Sequence, residues 1–188
     1  AGRDGGLVNR GFVFNDRGGV RARYDKIHLF DVDLPTGESW RESAAYAGGT
    51  RGVVAETPIG MMGLSICYDL RFPDLYRALS NAGATILSIP AAFTVPTGEA
   101  HWHVLLRARA IEAGVFVVAA AQTGRHEDGR ETYGHSLVVD PWGKVLLDMG
   151  AEPGLGFADI DPAEVETVRE RLPAIRHRRP IEQPDLVP

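Results

Sequence analysis

Gly60-Met-Met-Gly-Leu-Ser-Ile-Cys67-Tyr68-Asp69-Leu70-Arg71-Phe72-Pro73 reads as a buried strand that stops at the only cysteine of the chain. Pro73 suits the first turn of a helix, and Leu75, Ala78, Leu79 and Ala82 behind it fall on one helical face. Cys67 therefore sits where a strand hands over to a helix. Open α/β sheets place ligands at the carboxyl ends of their strands. Free N–H groups at a helix start favour a thiolate. Two readings follow: a nucleophile, or an inert cysteine buried as a small apolar group.

Working outward, the 188 residues suffice for one domain with a real core. The composition is that of a globular protein, 44% hydrophobic and 24% charged. A net charge of −5 argues against nucleic acid and anionic membranes as partners. Apolar runs such as Ala113 to Ala121 are too short to span a bilayer. One cysteine excludes an internal disulfide framework and fits a reducing compartment, the cytoplasm. Ala1 to Gly6 carries neither a start methionine nor a signal-peptide pattern, so the natural N-terminus is expected upstream.

Gly11–Phe14 and Val20–Tyr24 flank a turn cluster and read as a hairpin. Val32 to Thr50, broken by Pro35, Gly37, Gly48 and Gly49, reads as a long functional loop. Val53–Thr57 and Ile59–Ile66 form a second hairpin, and Ala84–Ile89 an apolar strand. Thr97 to Ala113 has helical spacing and stops at Gly114. Val115–Ala121 is a fully apolar strand of the parallel kind. Gln122 to Tyr133 reads as a polar loop, His135–Asp140 with Lys144–Asp148 as a third hairpin, and Gly156–Ile160 as a strand. Asp161 caps a helix from Pro162 to Arg171, and the Arg- and Pro-rich tail 172–188 is expected outside the core or on a partner. Apolar strands, crossover helices and hairpins together fit an α/β protein built as an α-β-β-α layered sandwich.

Lys26 follows a strand in an apolar and aromatic setting, where an ammonium could hold an oxyanion or lower a thiol pKa; an exposed surface lysine is the alternative. Glu42, on the long loop, could orient Lys26 or be an ordinary exposed carboxylate. Arg71 could grip a substrate carboxylate or pair with Asp69 or Asp74. His101 and His103 alternate on a helix and point apart, against a metal site made by that pair. A Cys–His dyad would need His28, His101 or His135 beside Cys67, and no protease signature surrounds it. Gly2, Gly5 and Gly6 do not make a phosphate loop.

Tyr24-Asp-Lys26-Ile-His-Leu-Phe-Asp31, Glu42-Ser43 and Cys67-Tyr-Asp-Leu-Arg-Phe-Pro73 resemble the nitrilase superfamily of carbon–nitrogen hydrolases. The resemblance continues through Thr97–Trp102, Leu105–Glu112, Val117–Gln122, Tyr133–Ser136, Val139–Gly143 and His177–Pro180. Within that superfamily the chain is similar to the Nit branch of small amidases, most of all those acting on deaminated glutathione.

The resemblance implies a four-layer α-β-β-α sandwich, incomplete at its N-terminus. Residues 1–188 would be the carboxyl-terminal two-thirds of a single hydrolase domain. It implies a Glu–Lys–Cys set in which Cys67 is the nucleophile, Lys26 and the Tyr68 backbone N–H hold the oxyanion, and Glu42 is a supporting glutamate. Arg71, Phe93 and Thr97 would meet the acyl part of the substrate. The general-base glutamate of the family lies upstream of the lysine motif, and the first glutamate here is Glu38. The implied reaction is hydrolysis of a terminal amide on a small carboxylate-bearing molecule through a Cys thioester, with ammonia released. An ω-amidase acting on α-ketoglutaramate is a second possibility, and an inactive binding or regulatory domain a third. No cofactor or metal is implied. A homodimer or higher homo-oligomer is, through the elbow helix and the Thr97–Ala113 helix.

Overall fold

A computed structural model describes residues 6–33, 37 and 39–186. Pro35 of the long loop, residues 1–5 and the last two tail residues fall outside that range, so the expectation that Gly2 and Gly5 make no phosphate loop lies outside the described residues.

The first hairpin pairs β1 (Arg10–Phe14) with β2 (Val20–Asp25), and Asn15 closes its turn by accepting the N–H groups of Arg17 and Gly19. The long loop is partly structured. It holds a short hairpin of β3 (Asp31–Asp33) and β4 (Ser39–Arg41), then a 3₁₀ turn at Glu42–Ala44.

The central sheet has six strands. In spatial order they are β12 (Val145–Asp148), β11 (Leu137–Val139), β8 (Phe116–Ala119), β7 (Ile86–Ser88), β6 (Gly60–Leu64) and β5 (Val53–Thr57). The middle strands β6, β7 and β8 are parallel, and both wings are antiparallel. Two crossover segments join the parallel strands: α1 (Pro73–Asn81), and a helical run made of α2 (Val95–Thr97), a π-helical turn at Gly98–Trp102 and α3 (His103–Ala113). Both cover the same sheet face. Leu75, Tyr76 and Leu79 of α1, with Leu106 and Ala110 of α3, pack on Leu64, Leu87, Val117 and Leu137. On the other face Ile86 and Phe116, one residue out of phase, meet Val165 of α4 (Ala163–Arg171). A mixed sheet with helices packed on both faces is the α/β class expected from the sequence.

Three expectations need correction. Gln122 to Tyr133 is not all loop: β9 (Thr123–Arg125) and β10 (Glu131–Tyr133) pair across a turn, because backbone hydrogen bonds rather than apolar side chains define so short a ribbon. Gly156–Ile160 forms no strand, since no described residue offers it a ladder. The helix expected to start at Thr97 starts at Val95, and its π turn places Gly98 against the Tyr133 ring, where a Cβ would lie 2.2 Å from Tyr133 Cγ.

Asp161 does cap α4, accepting the Ala163 N–H at 2.9 Å. Downstream, Arg178 donates to Ser80, to Asn81 and to the Glu112 carbonyl. Among the described residues, no helix is long and apolar enough to cross a membrane.

Leu87 is fully buried between the parallel strands and the helices, whereas Val104 is exposed. Leu87→Ala is expected to remove about 2–5 kcal/mol of stability in urea unfolding. Val104→Ala is expected to stay within about 0.5 kcal/mol. Equal effects would place the core elsewhere.

Candidate active site

β6 ends at Leu64, and the chain turns through a 3₁₀ segment, Cys67–Arg71, before α1 begins at Pro73. Cys67 adopts φ +50°, a left-handed conformation rarely taken by residues other than glycine. Such a residue costs on the order of 1–3 kcal/mol and persists only where its surroundings fix it. Here the Cys67 N–H donates to the Pro90 carbonyl at 2.9 Å, tying the elbow to the loop after β7.

Asp69 fixes the elbow from below. Its carboxylate is fully buried and accepts four hydrogen bonds: from Tyr24 Oη at 2.7 Å, the Ile66 N–H at 2.9 Å, the His28 N–H at 3.0 Å and His28 Nδ1 at 2.8 Å. Tyr24 and His28 flank Lys26 in sequence. One buried carboxylate therefore registers the lysine segment against the cysteine turn. Burial and the Asp69 charge push the Tyr24 phenol far above its ordinary range, so it stays a donor. Sequence reasoning weighed Asp69 only as an ion-pair partner for Arg71. The available signal was an acid three residues after Ile66, placed to take an N–H left free where the strand gives way to the turn.

Lys26 is 3% exposed, against the surface alternative, and its Nζ donates to Glu42 Oε2 at 2.5 Å. The same oxygen accepts the Phe30 N–H at 2.7 Å, and Oε1 accepts from Asn9 Nδ2 at 3.3 Å. Glu42 is thus held from two sides and fixes the ammonium.

Cys67, Lys26, Glu42, Tyr68, Arg71, Phe93 and Thr97 all line one cavity of about 990 Å³. The residues expected at the site are therefore brought together. Arg71 pairs with neither Asp69 nor Asp74. Its guanidinium lies over the Phe93 and Tyr68 rings, 5.3 and 5.9 Å from their centroids, with His101 Nδ1 at 3.2 Å. Phe93 packs on Trp102, and Thr97 Oγ1 lies 2.9 Å from Thr94 Oγ1. Arg130, stacked over Trp40, also lines the cavity and was missed, because its place depends on the unexpected β9–β10 ribbon. None of His28, His101 and His135 lines it, which removes the Cys–His dyad. As expected, His101 and His103 diverge, one toward Arg71 and the other toward Asp148.

The thiol itself corrects an expectation. Burial pushes its pKa above the ordinary value, and Glu42 adds to this. The Ala92 N–H, the Lys26 charge and the Tyr68 N–H pull the other way without overcoming it. The helix-start argument omitted desolvation, which is the largest effect here. Cys67 rests as a thiol and needs a base.

The carbon–nitrogen hydrolase family profile matches residues 2–170, and the chain belongs to that family. Its relatives include the deaminated glutathione amidases of Synechocystis, 48% identical over 180 residues, and of Mus musculus, 50% identical over 175. These alignments cover 95% and 93% of this chain but 66% and 54% of the relatives, so the chain spans roughly half to two-thirds of their length. Among solved structures, the C. elegans NitFhit protein superposes with a TM-score of 0.87 at 48% identity, covering 93% of this chain and 42% of that one. An amidase from Nesterenkonia, with the acetamide moiety of fluoroacetamide added at its active-site cysteine, superposes with a TM-score of 0.75 at 29% identity, covering 90% of this chain and 58% of that one.

A raised pKa makes thiolate scarce at neutral pH. Alkylation of Cys67 by iodoacetamide should rise by about tenfold per pH unit and still be climbing past the ordinary thiol value of about 8.5. A plateau below about pH 8 would contradict this. Asp69→Ala, which strands buried donors of Tyr24, Ile66 and His28, should lower stability by about 3 kcal/mol or more in urea unfolding. A loss below about 1 kcal/mol would mean that the carboxylate is not the organising contact.

Proposed function

We propose that this chain carries the thiol, lysine and supporting glutamate of an amidase. It would hydrolyse the amide bond between the acyl group and the amine of a small, carboxylate-bearing molecule of the deaminated glutathione kind. The observation that carries this reading is the common cavity of Cys67, Lys26 and Glu42, with the lysine charge acting on the thiol. The names of the relatives support it, as does the covalent adduct on the cysteine of the Nesterenkonia amidase.

In this mechanism Cys67 loses its proton to a base as it attacks the amide carbonyl. The carboxylates lining the cavity are occupied, Glu42 by Lys26 and Asp128 by Arg130. The resemblance implies that the base is a glutamate upstream of the lysine motif. Lys26 and the Tyr68 N–H stabilise the tetrahedral oxyanion in a half-buried site where fixed donors act strongly. The base hands that proton to the amide nitrogen, which leaves as the free amine, cysteinylglycine from deaminated glutathione or ammonia from a primary amide, and a thioester remains on Cys67. The same base then activates water, and the carboxylic acid departs. No step calls on a cofactor.

Arg71 would take the carboxylate of the substrate, a role supported by its position on the cavity wall with its guanidinium over the Phe93 and Tyr68 rings. Arg130 on the cavity wall is already paired with Asp128, so the preference for deaminated glutathione over the shorter α-ketoglutaramate rests on the names of the relatives. A thiol nucleophile calls for a reducing compartment, which supports the cytoplasm. Ile111, exposed on α3, supports a homodimer through that helix.

The test is release by the full-length protein of cysteinylglycine from deaminated glutathione and of ammonia from α-ketoglutaramate. Cys67→Ala is expected to lower kcat by at least about 10³-fold. Arg71→Ala should raise KM more than it lowers kcat. Retained turnover in Cys67→Ala would overturn the assignment. Faster turnover of α-ketoglutaramate would shift it to the ω-amidase reading.

A further inference from the structure

Outside the cavity, three metal-ligating side chains converge from separate elements: His103 at the start of α3, His135 on the turn between β10 and β11, and Asp148 at the end of β12. His103 Nε2 lies 2.9 Å from Asp148 Oδ2, and His135 Nδ1 lies 2.9 Å from Asp148 Oδ1. One ligand atom from each falls within 4.8 Å of the others. All three side chains are about one-quarter to one-third exposed, so an ion can reach them from solvent.

The position of His135 is built rather than incidental. It takes φ +56°, a left-handed conformation that is costly for a residue with a Cβ. The Trp102 indole N–H donates to its carbonyl at 2.7 Å, and its own N–H donates to the Gly150 carbonyl at 2.7 Å. The Tyr133 ring stacks on its imidazole at 4.3 Å. Burial raises the Asp148 carboxyl, but donation from His103, the Gly150 N–H and His135 outweighs this and keeps it ionised.

We propose that His103, His135 and Asp148 bind a divalent transition-metal ion, with Zn²⁺ the best match. Two imidazoles and one carboxylate at this spacing suit a tetrahedral site whose fourth position is water. To bind the ion, His103 Nε2 and His135 Nδ1 give up the protons they now share with Asp148. Each ring either moves its proton to the other nitrogen or releases it. None of the three lines the Cys67 cavity, so the ion is structural. It clamps α3, the β10–β11 turn and β12 together, next to Ser136, which does line the cavity.

Metal-stripped protein is titrated with ZnCl₂ by calorimetry, and bound zinc is counted by mass spectrometry after dialysis. One equivalent should bind, and it should bind equally to Cys67→Ala. His103→Ala and Asp148→Ala, checked for folding by circular dichroism, should lose it. Should either variant unfold, Co²⁺ on the unaltered protein decides. Ligand-field bands without a thiolate charge-transfer band support the site, and a thiolate band refutes it. Absence of binding, loss of binding in Cys67→Ala, or undiminished binding in the folded His103 and Asp148 variants would each overturn the proposal.

Discussion

The arrangement of the cavity rests on one buried carboxylate. Asp69 sits with no solvent exposure and spends its lone pairs on Tyr24, His28 and Ile66, which belong to two distant parts of the chain. A buried charge without partners would be untenable, so the two segments are locked in the only registration that satisfies it. That registration puts Lys26 and Cys67 on one cavity wall. Glu42 completes the set from a third segment, and its own oxygens are anchored by the Phe30 N–H and Asn9. The charges are mutually dependent: Glu42 holds the ammonium, and the ammonium is a counter-charge acting on the thiol.

This arrangement explains why a thiol in a helix-start position still rests protonated. A helix end and a lysine supply attraction, but the cavity wall removes water, and desolvation is the larger effect. Such a thiol is safe from casual oxidation and ionises only as a base takes its proton. Its left-handed backbone holds it at the rim of the sheet, with the Ala92 and Tyr68 N–H groups beside it.

Much of this was legible in the chain. Local signals suffice for hairpins around turn clusters, for a proline opening α1, for Gly114 closing α3 in a left-handed conformation, and for a cysteine at a strand end. The resemblance added Lys26 and Glu42, which local patterning alone leaves as surface charges. What escaped was non-local. The β9–β10 ribbon has three-residue strands with mostly polar side chains, so periodicity cannot reveal it, and Arg130 was lost with it. Gly156–Ile160 has strand-like composition but no ladder partner among the described residues. Asp69 and the His103–His135–Asp148 cluster join residues far apart in sequence, a relation that only the folded chain displays.

The central claim is that the sulfur of Cys67, beside the Lys26 ammonium, forms the bond to the substrate. Rapid acid quench of the full-length protein incubated with the proposed substrate, deaminated glutathione, followed by peptide mass spectrometry, tests it directly. The account predicts a thioester-linked acyl group, labile to hydroxylamine, on the peptide that contains Cys67 and nowhere else. Turnover with an acyl group on another residue, or with Cys67 freely alkylated throughout, would contradict it.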